Sequence, residues 1–237
     1  MNKKDLDQQS QHWENSFSNK PEMFGLDPSE AARHAKEIFE SQKIKNFFSR
    51  KSIDILELGA GLGRDTTYFA ANSNLIQVTA LDYSSEAIKN INKKKNDYHS
   101  DPTMTDGKSA ADKITTKVWD VRNGIPYKDN TFDGCFSHML YCMALTTSEI
   151  IKLNKEVHRI LKPGAINIFT VRHTGDGDYK KGKHIGEDLY ENDGFIVHFF
   201  DKEKINQISK EFKIEDIFEL HEGSFPRKLF VVTQRKK

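Results

Sequence analysis

At 237 residues, 30% of them charged and 36% hydrophobic, the chain suits one α/β domain with a short extension and a sizeable core. Lys+Arg (36) nearly cancels Asp+Glu (35), and a balance of +1 argues against a dedicated nucleic-acid-binding domain. No apolar run nears the roughly 20 residues of a membrane span. The segment Met1–Asp7 lacks the apolar stretch of a signal peptide, and Cys135 and Cys142 sit in apolar surroundings. The chain therefore reads as cytoplasmic, with reduced core thiols and no membrane or nucleic-acid partner. The absence of CxxC, HExxH or paired-histidine spacing suggests no metal site.

Residues 1–28 read as an N-terminal arm. Trp13 and Phe17 are four apart on one helix face, and two prolines follow in Lys20–Ser29. The arm is either a lid over a ligand or a segment packed onto the domain through Trp13, Phe17, Met23 and Phe24. Ser29 caps a helix running to about Phe48, with Ala32, Ala35, Ile38 and Phe39 as its core stripe. Ser52 to Leu58 is a short apolar strand that breaks into Gly59-Ala60-Gly61-Leu62-Gly63 and starts a helix near Asp65 and Thr66. A second strand, Gln77–Asp82, ends in an acid and is followed by a helix from Ser84 towards Lys95.

Residues 96–112 are polar and aperiodic, as in a mobile surface insertion. Strands follow at Ile114–Asp120 and Thr131–His138, then a helix over Glu149–Leu161 closed by Pro163-Gly164, and a fifth strand over Ala165–Val171. Residues 172–201 are weakly patterned and rich in Gly, Asp and His, and are read as a loop. A helix from Lys202 to about Lys210 and strands near Ile214–Leu220 and Lys228–Thr233 complete the domain. Strand–helix alternation with two final adjacent strands predicts a parallel sheet carrying one antiparallel strand.

In such a sheet, ligands bind beyond the carboxyl ends of the strands. The first three strands end in Glu57-x-Gly-x-Gly-x-Gly63, Asp82 and Asp120. Asp82 lies about 20 residues past the glycines, the spacing at which an acid meets a ribose diol. Asp120 suits an adenine amine, with Val121 and Tyr83 against the ring faces. Together these ends describe a nucleoside site. A dinucleotide turn is GxGxxG over a helix N-terminus that carries pyrophosphate. Here the turn is GxGxG, flanked by Glu57 and by Arg64-Asp65; the acids would repel a diphosphate and suit a cationic sulfonium amino acid. Each residue also has a plainer reading: Glu57 as a buried helix partner, Asp120 as a strand-end cap, His138 as a hydrogen-bonded structural group.

The acidic glycine turn, the acids ending strands two and three, Thr131-Phe132-Asp133-Gly134 and Leu161-Lys162-Pro163-Gly164-Ala165 together resemble the class I S-adenosylmethionine-dependent methyltransferases over roughly residues 29–237. The resemblance implies a Rossmann-like α/β fold: a seven-stranded, mostly parallel sheet with the last strand antiparallel, helices on both faces and an N-terminal helical arm. It implies S-adenosylmethionine as cofactor and S-adenosylhomocysteine as product. Gly59, Ala60 and Gly61 would approach the methionine part, Asp82 the ribose, Asp120 the adenine amine, and Val121 and Tyr83 the ring. Ser137 and His138 would lie next to the methyl group. Glu57, Arg64, Asp65 and Ser84 complete the expected cofactor-binding set.

Methyl transfer from a sulfonium is an in-line displacement that needs mainly proximity and alignment. An acceptor hydroxyl or ammonium would need a base, for which His138, Tyr141 and His173 are the catalytic candidates, with His184–Tyr190 as a further acceptor-side segment. Ser137-His138-Met139-Leu140 stands where nucleic-acid amine methylases carry (Asn/Asp)-Pro-Pro-(Tyr/Phe), so a small-molecule acceptor is expected: thiol, metalloid or chalcogen, amine or hydroxyl. Gly63-Arg64-Asp65-Thr66 and the short arm are similar to the branch holding tellurite-resistance and thiol methyltransferases. Two other readings stand beside this one, a non-catalytic S-adenosylmethionine-binding sensor or partner subunit and an NAD-dependent dehydrogenase, and the oligomeric state is open.

Overall fold

Strand β1 (Ile53–Leu58) is apolar to both sides: Ile53 and Ile55 pack into one core cluster, Leu56 and Leu58 into the other. That is what a strand covered on both faces of a parallel sheet requires. The computed structural model describes residues 3–45, 52–100, 110–223 and 227–237. In it β1 runs parallel to β2 (Ile76–Asp82) on one side and β4 (Phe132–Ser137) on the other, and β3 (Ile114–Val118) pairs with β2. β5 (Leu161–His173) is parallel to β4. β10 (Arg227–Lys236) lies antiparallel between β5 and β9 (Phe212–Glu222). The order β3-β2-β1-β4-β5-β10-β9 is the expected seven-stranded sheet. The chain reverses its direction of travel across the sheet between β1 and β4, and such a switch point opens a crevice at the carboxyl ends.

Helices α2 (Glu30–Lys45) and α3 (Arg64–Ala71) cover one face through Ala32, Ala35, Phe39 and Phe69. The opposite face is covered by α5 (Thr147–Ile160) and α6 (Lys202–Ile208). α5 begins with a reciprocal capping box between Thr146 and Glu149 and buries Ile150, Leu153, Val157 and Ile160, each contributing about 1.5–3 kcal/mol. Helix α1 (Lys3–Asn19) stands apart from both layers, against the amino end of α4 (Ser85–Ser100) and the strand β8 (Phe195–Phe200).

Two expectations change. The segment 172–201 is not a loop: β6 (Lys183–Gly186), β7 (Leu189–Asn192) and β8 (Phe195–Phe200) form an antiparallel set, and β8 joins the end of β5 through Arg172 and His173. The β7–β8 turn is Asp193-Gly194, with φ of 51° and 85°. Those positive values are what a two-residue hairpin turn demands of its central residues, and Asp-Gly supplies them at low strain. The insertion is also shorter than expected, because α4 continues to Ser100 and residues 110–112 are helical. The rest of it, 101–109, lies outside the described residues.

Candidate functional site

The chain leaves β1 through a turn in which Gly59, Gly61 and Gly63 all have positive φ (68°, 51° and 77°). At Gly63 the need for glycine is twofold, since a Cβ would stand 2.5 Å from Ile91 Cγ1. The turn is pinned to the end of β2: the Gly61 amide donates to Asp82 Oδ2 at 2.8 Å and the Ser84 amide to Oδ1 at 2.9 Å. Burial pushes the Asp82 carboxyl up to about 6 even though these amides favour its charged form. Glu57 is wholly enclosed, accepts the Thr66 hydroxyl at 2.5 Å, and is raised well above the ordinary carboxylate range by burial and by the neighbouring Asp65.

A cavity of about 660 Å³ opens from this turn, within the size range of small-molecule sites. Its floor is the turn with Asp82, Tyr83, Asp120 and Val121. α1 crosses above it, its Trp13 and Phe17 forming one aromatic cluster with Phe24 of the following segment; the Trp13 ring is 4.9 Å from that of Phe195 of the hairpin. Polar contacts fix the helix at both ends of the cavity. Glu14 accepts the hydroxyls of Ser84 and Ser85 and the amide of Glu86, so it caps α4 from outside. Gln9 donates to the Gly194 carbonyl at 2.6 Å and accepts the Ile196 amide at 3.1 Å, which ties α1 to the hairpin.

Across the middle of the cavity runs a polar chain. Arg64 donates to Glu222 Oε1 at 2.9 Å and to the Phe24 carbonyl at 2.9 Å. Glu222 Oε2 lies 3.0 Å from His138 Nε2, while His138 Nδ1 lies 3.1 Å from the Thr170 hydroxyl, which itself accepts the Met139 amide. Both ring nitrogens of His138 are thus engaged, one by Glu222 and the other by Thr170. Burial opposes the charge on Glu222, but the His138 contact and the Arg64 cation more than offset it and hold the carboxyl down to about 2.

The structure gathers Glu57, Gly59, Ala60, Gly61, Arg64, Asp65, Asp82, Tyr83, Asp120, Val121 and His138 around the cavity. Several have other partners as well. Both oxygens of Asp65 accept from Ser29, at 2.7 and 2.8 Å, so this acid ties α2 to α3. Asp120 accepts from the Arg122 amide and guanidinium, which overcome burial and lower its carboxyl. Four expected residues are not among the cavity lining. Ser84 caps α4 and bonds Glu14. Ser137 is fully buried, with a hydroxyl that has no partner among the described residues.

Tyr141 is stacked on Phe169 in the core and bonded to Asn154, and burial raises its phenol far out of reach of proton transfer. His173 lies over Phe230, accepts the Gly175 amide, and approaches Glu219 at 3.5 Å. Of the His184–Tyr190 segment only Tyr190 lines the cavity. Sequence reasoning missed Glu222, Gln9, Glu14 and the whole hairpin face. The Asp193-Gly194 dipeptide before an apolar run was the available signal for the hairpin. The other three carry no local pattern.

Among the described residues no group of His, Cys, Asp or Glu is set to hold a metal ion, and no helix is long and apolar enough to cross a membrane. A family model described as "Methyltransferase domain" matches residues 56–169. The chain is 24% identical over 158 residues, 66% of its length, to 24-methylenesterol C-methyltransferase 2 of Arabidopsis thaliana, and the match spans 38% of that relative.

Among solved structures, the Burkholderia thailandensis 1,6-didemethyltoxoflavin-N1-methyltransferase with its namesake ligand and S-adenosylhomocysteine has a TM-score of 0.68 at 16% identity, covering 98% of this chain and 88% of the other. The Bradyrhizobium japonicum N-methyltransferase NodS with S-adenosylhomocysteine has 0.64 at 12%, covering 96% and 98%. Both likenesses bear on the fold. The matched domain, the strand order and the glycine turn that leaves β1 at the switch point support the reading of this chain as a class I S-adenosylmethionine-dependent methyltransferase.

Proposed function

We propose that the chain transfers the methyl group of S-adenosylmethionine to a small-molecule acceptor, the donor lying at the glycine-turn end of the cavity and the acceptor under α1 and the β7–β8 hairpin. The observation that carries this reading is the continuity of one cavity from Gly59–Gly61 and Asp82 past Met139 and Leu140 to Trp13 and Phe195. The residues fit the donor. A Cβ on Gly61 would reach 3.8 Å from Phe17, into space the backbone now leaves open. Asp82 offers a buried acceptor for ribose hydroxyls, the Asp65 carboxylate lies behind the turn, and Tyr83 and Val121 offer faces for adenine.

When bound, the cofactor supplies a methyl group whose bond to sulfur breaks as the bond to the acceptor forms, the sulfur keeping the electron pair as S-adenosylhomocysteine. The chain's own task is alignment and exclusion of water. His138 has both ring nitrogens engaged, so it acts by holding Glu222 and the post-β4 loop rather than by taking a proton from the acceptor. Residues 1–28 act as the lid over both halves, and 29–237 as the methyltransferase domain. Two of the named relatives are a 24-methylenesterol C-methyltransferase and a 1,6-didemethyltoxoflavin-N1-methyltransferase, which supports a small-molecule acceptor.

The test is S-adenosylhomocysteine release across thiols, metalloid oxyanions, amines, phenols and neutral heteroaromatics. Release that depends on one acceptor class is expected. Tight S-adenosylmethionine binding with no release from any class would favour a sensor instead.

A further inference from the structure

The acceptor half of the cavity has a charge pattern that restricts what it can take. Its enclosed ions are already matched: Glu222 by Arg64 and His138, and Arg172 by Asp176 at 2.5 Å and Asp178 at 2.8 Å. The remaining ions that line it, Asp193 and Arg227, are exposed and opposite in sign. An ion pair formed there in water is worth at most about 1 kcal/mol. A charged acceptor drawn inside would lose its hydration with no unmatched partner to replace it.

The walls are aromatic and soft. β7 and β8 alternate, so Tyr190, Asn192, Phe195, Val197 and Phe199 share the face turned to the cavity, in the register Tyr190 to Val197 and Asn192 to Phe195. Trp13 and Phe24 close it from above, and the thioethers of Met139 and Met143 face it from the post-β4 loop. Ring–ring and sulfur–ring contacts favour an aromatic guest over an aliphatic one of equal area. On this face the Tyr190 hydroxyl and the Asn192 amide have no hydrogen-bond partner among the described residues, so two polar ends stand ready for an acceptor's edge.

We infer that the acceptor is an uncharged aromatic ring system with polar atoms on one edge, and that the hairpin face carrying Tyr190, Asn192 and Phe195 selects it. This rests on the proposed donor and acceptor halves of the cavity. The test uses the full chain saturated with S-adenosylhomocysteine. Its tryptophans are Trp13, in the cavity wall, and Trp119, outside it. In a Trp119→Phe background, Trp13 emission reports where a guest binds and calorimetry reports its affinity. Four probes of similar size separate the cases: quinazolin-4-one, naphthalene-2-carboxylate, N-methylquinolinium and adamantan-1-ol.

The neutral heteroaromatic is expected to perturb Trp13 and to bind at least about ten-fold tighter than either ion. Phe195→Leu, which removes a ring while keeping an apolar side chain, is expected to weaken quinazolin-4-one by about 2- to 10-fold and to leave adamantan-1-ol unchanged. Tighter binding of either ion, equal binding of the aliphatic probe, or no probe binding to the loaded protein would overturn the inference. Failure of S-adenosylhomocysteine itself to bind would overturn the donor assignment instead, and the first titration shows it.

Discussion

Asp82 combines two conditions that usually oppose each other: it is buried, and it retains the acceptor capacity of a carboxylate toward Gly61 and Ser84. Because its folded value is raised from 3.8 to about 6, the ligand-free protein loses stability from this group as pH rises from about 4 to 6. Asp82→Asn should therefore be more stable than wild type at pH 7, by about 1–2 kcal/mol after allowance for one weakened amide contact, with the gap closing below pH 4. Urea denaturation at pH 4 and 7 checks the sign. The same ionisation implies that S-adenosylmethionine affinity falls by about ten-fold per pH unit below about 6, which calorimetry between pH 5 and 7 would read. Gly63→Ala meets both a positive φ and Ile91, and should cost about 2–4 kcal/mol in the same denaturation assay.

His138 gives a sharper kinetic contrast. A general base contributes about 10²–10⁴ in rate. Since its nitrogens face Thr170 and Glu222, His138→Asn should lower kcat by less than about 100-fold and leave the shape of the pH–rate profile unchanged. A larger loss with a missing acid limb would restore His138 as the base.

At the scale of elements, α1 is held through side chains at two separated points, Gln9 on the hairpin and Glu14 on the start of α4. Removing both contacts with Gln9→Ala and Glu14→Ala should loosen the helix without touching the sheet. Stopped-flow release of S-adenosylhomocysteine should accelerate by about 30-fold, on the basis of about 1 kcal/mol for a lost cap and a similar amount for the Gln9 pair. An unchanged release rate would mean that α1 is a static cover.

The elements legible in the sequence were those with strong periodicity or punctuation. β1 and its glycine turn, the acid-tipped β2, and α5 with its Thr146–Glu149 box all announce themselves locally. The hairpin did not, because the Gly- and Asp-rich stretch before it masked the two-residue period, and Asp193-Gly194 went unread. Tyr141 and His173 looked like site residues because they neighbour strand ends in sequence, but the pleat and the helix α5 side of the sheet take Tyr141 into the core. Glu222 was invisible for a different reason: it reaches Arg64 over 158 residues, a pairing that only the closed sheet creates.

At the scale of the whole molecule, a parallel sheet presents Glu57, Asp82 and Asp120 along one rim, and the antiparallel end of the sheet swings Glu222 back toward them. The N-terminal helix and the β6–β8 addition then roof the space. On the proposed function, the donor end is built from backbone and acids, and the acceptor end from rings. This division predicts that donor affinity and acceptor choice respond to different substitutions.

The most direct test is a calorimetric titration of S-adenosylmethionine into wild type and Asp82→Ala at pH 7.5. The expected result is one site per chain in wild type, weakened by about 10- to 150-fold in the variant, as loss of hydrogen bonds to a charged group of about 1.5–3 kcal/mol implies. No binding to folded wild type, or equal affinity in the variant, would contradict the account.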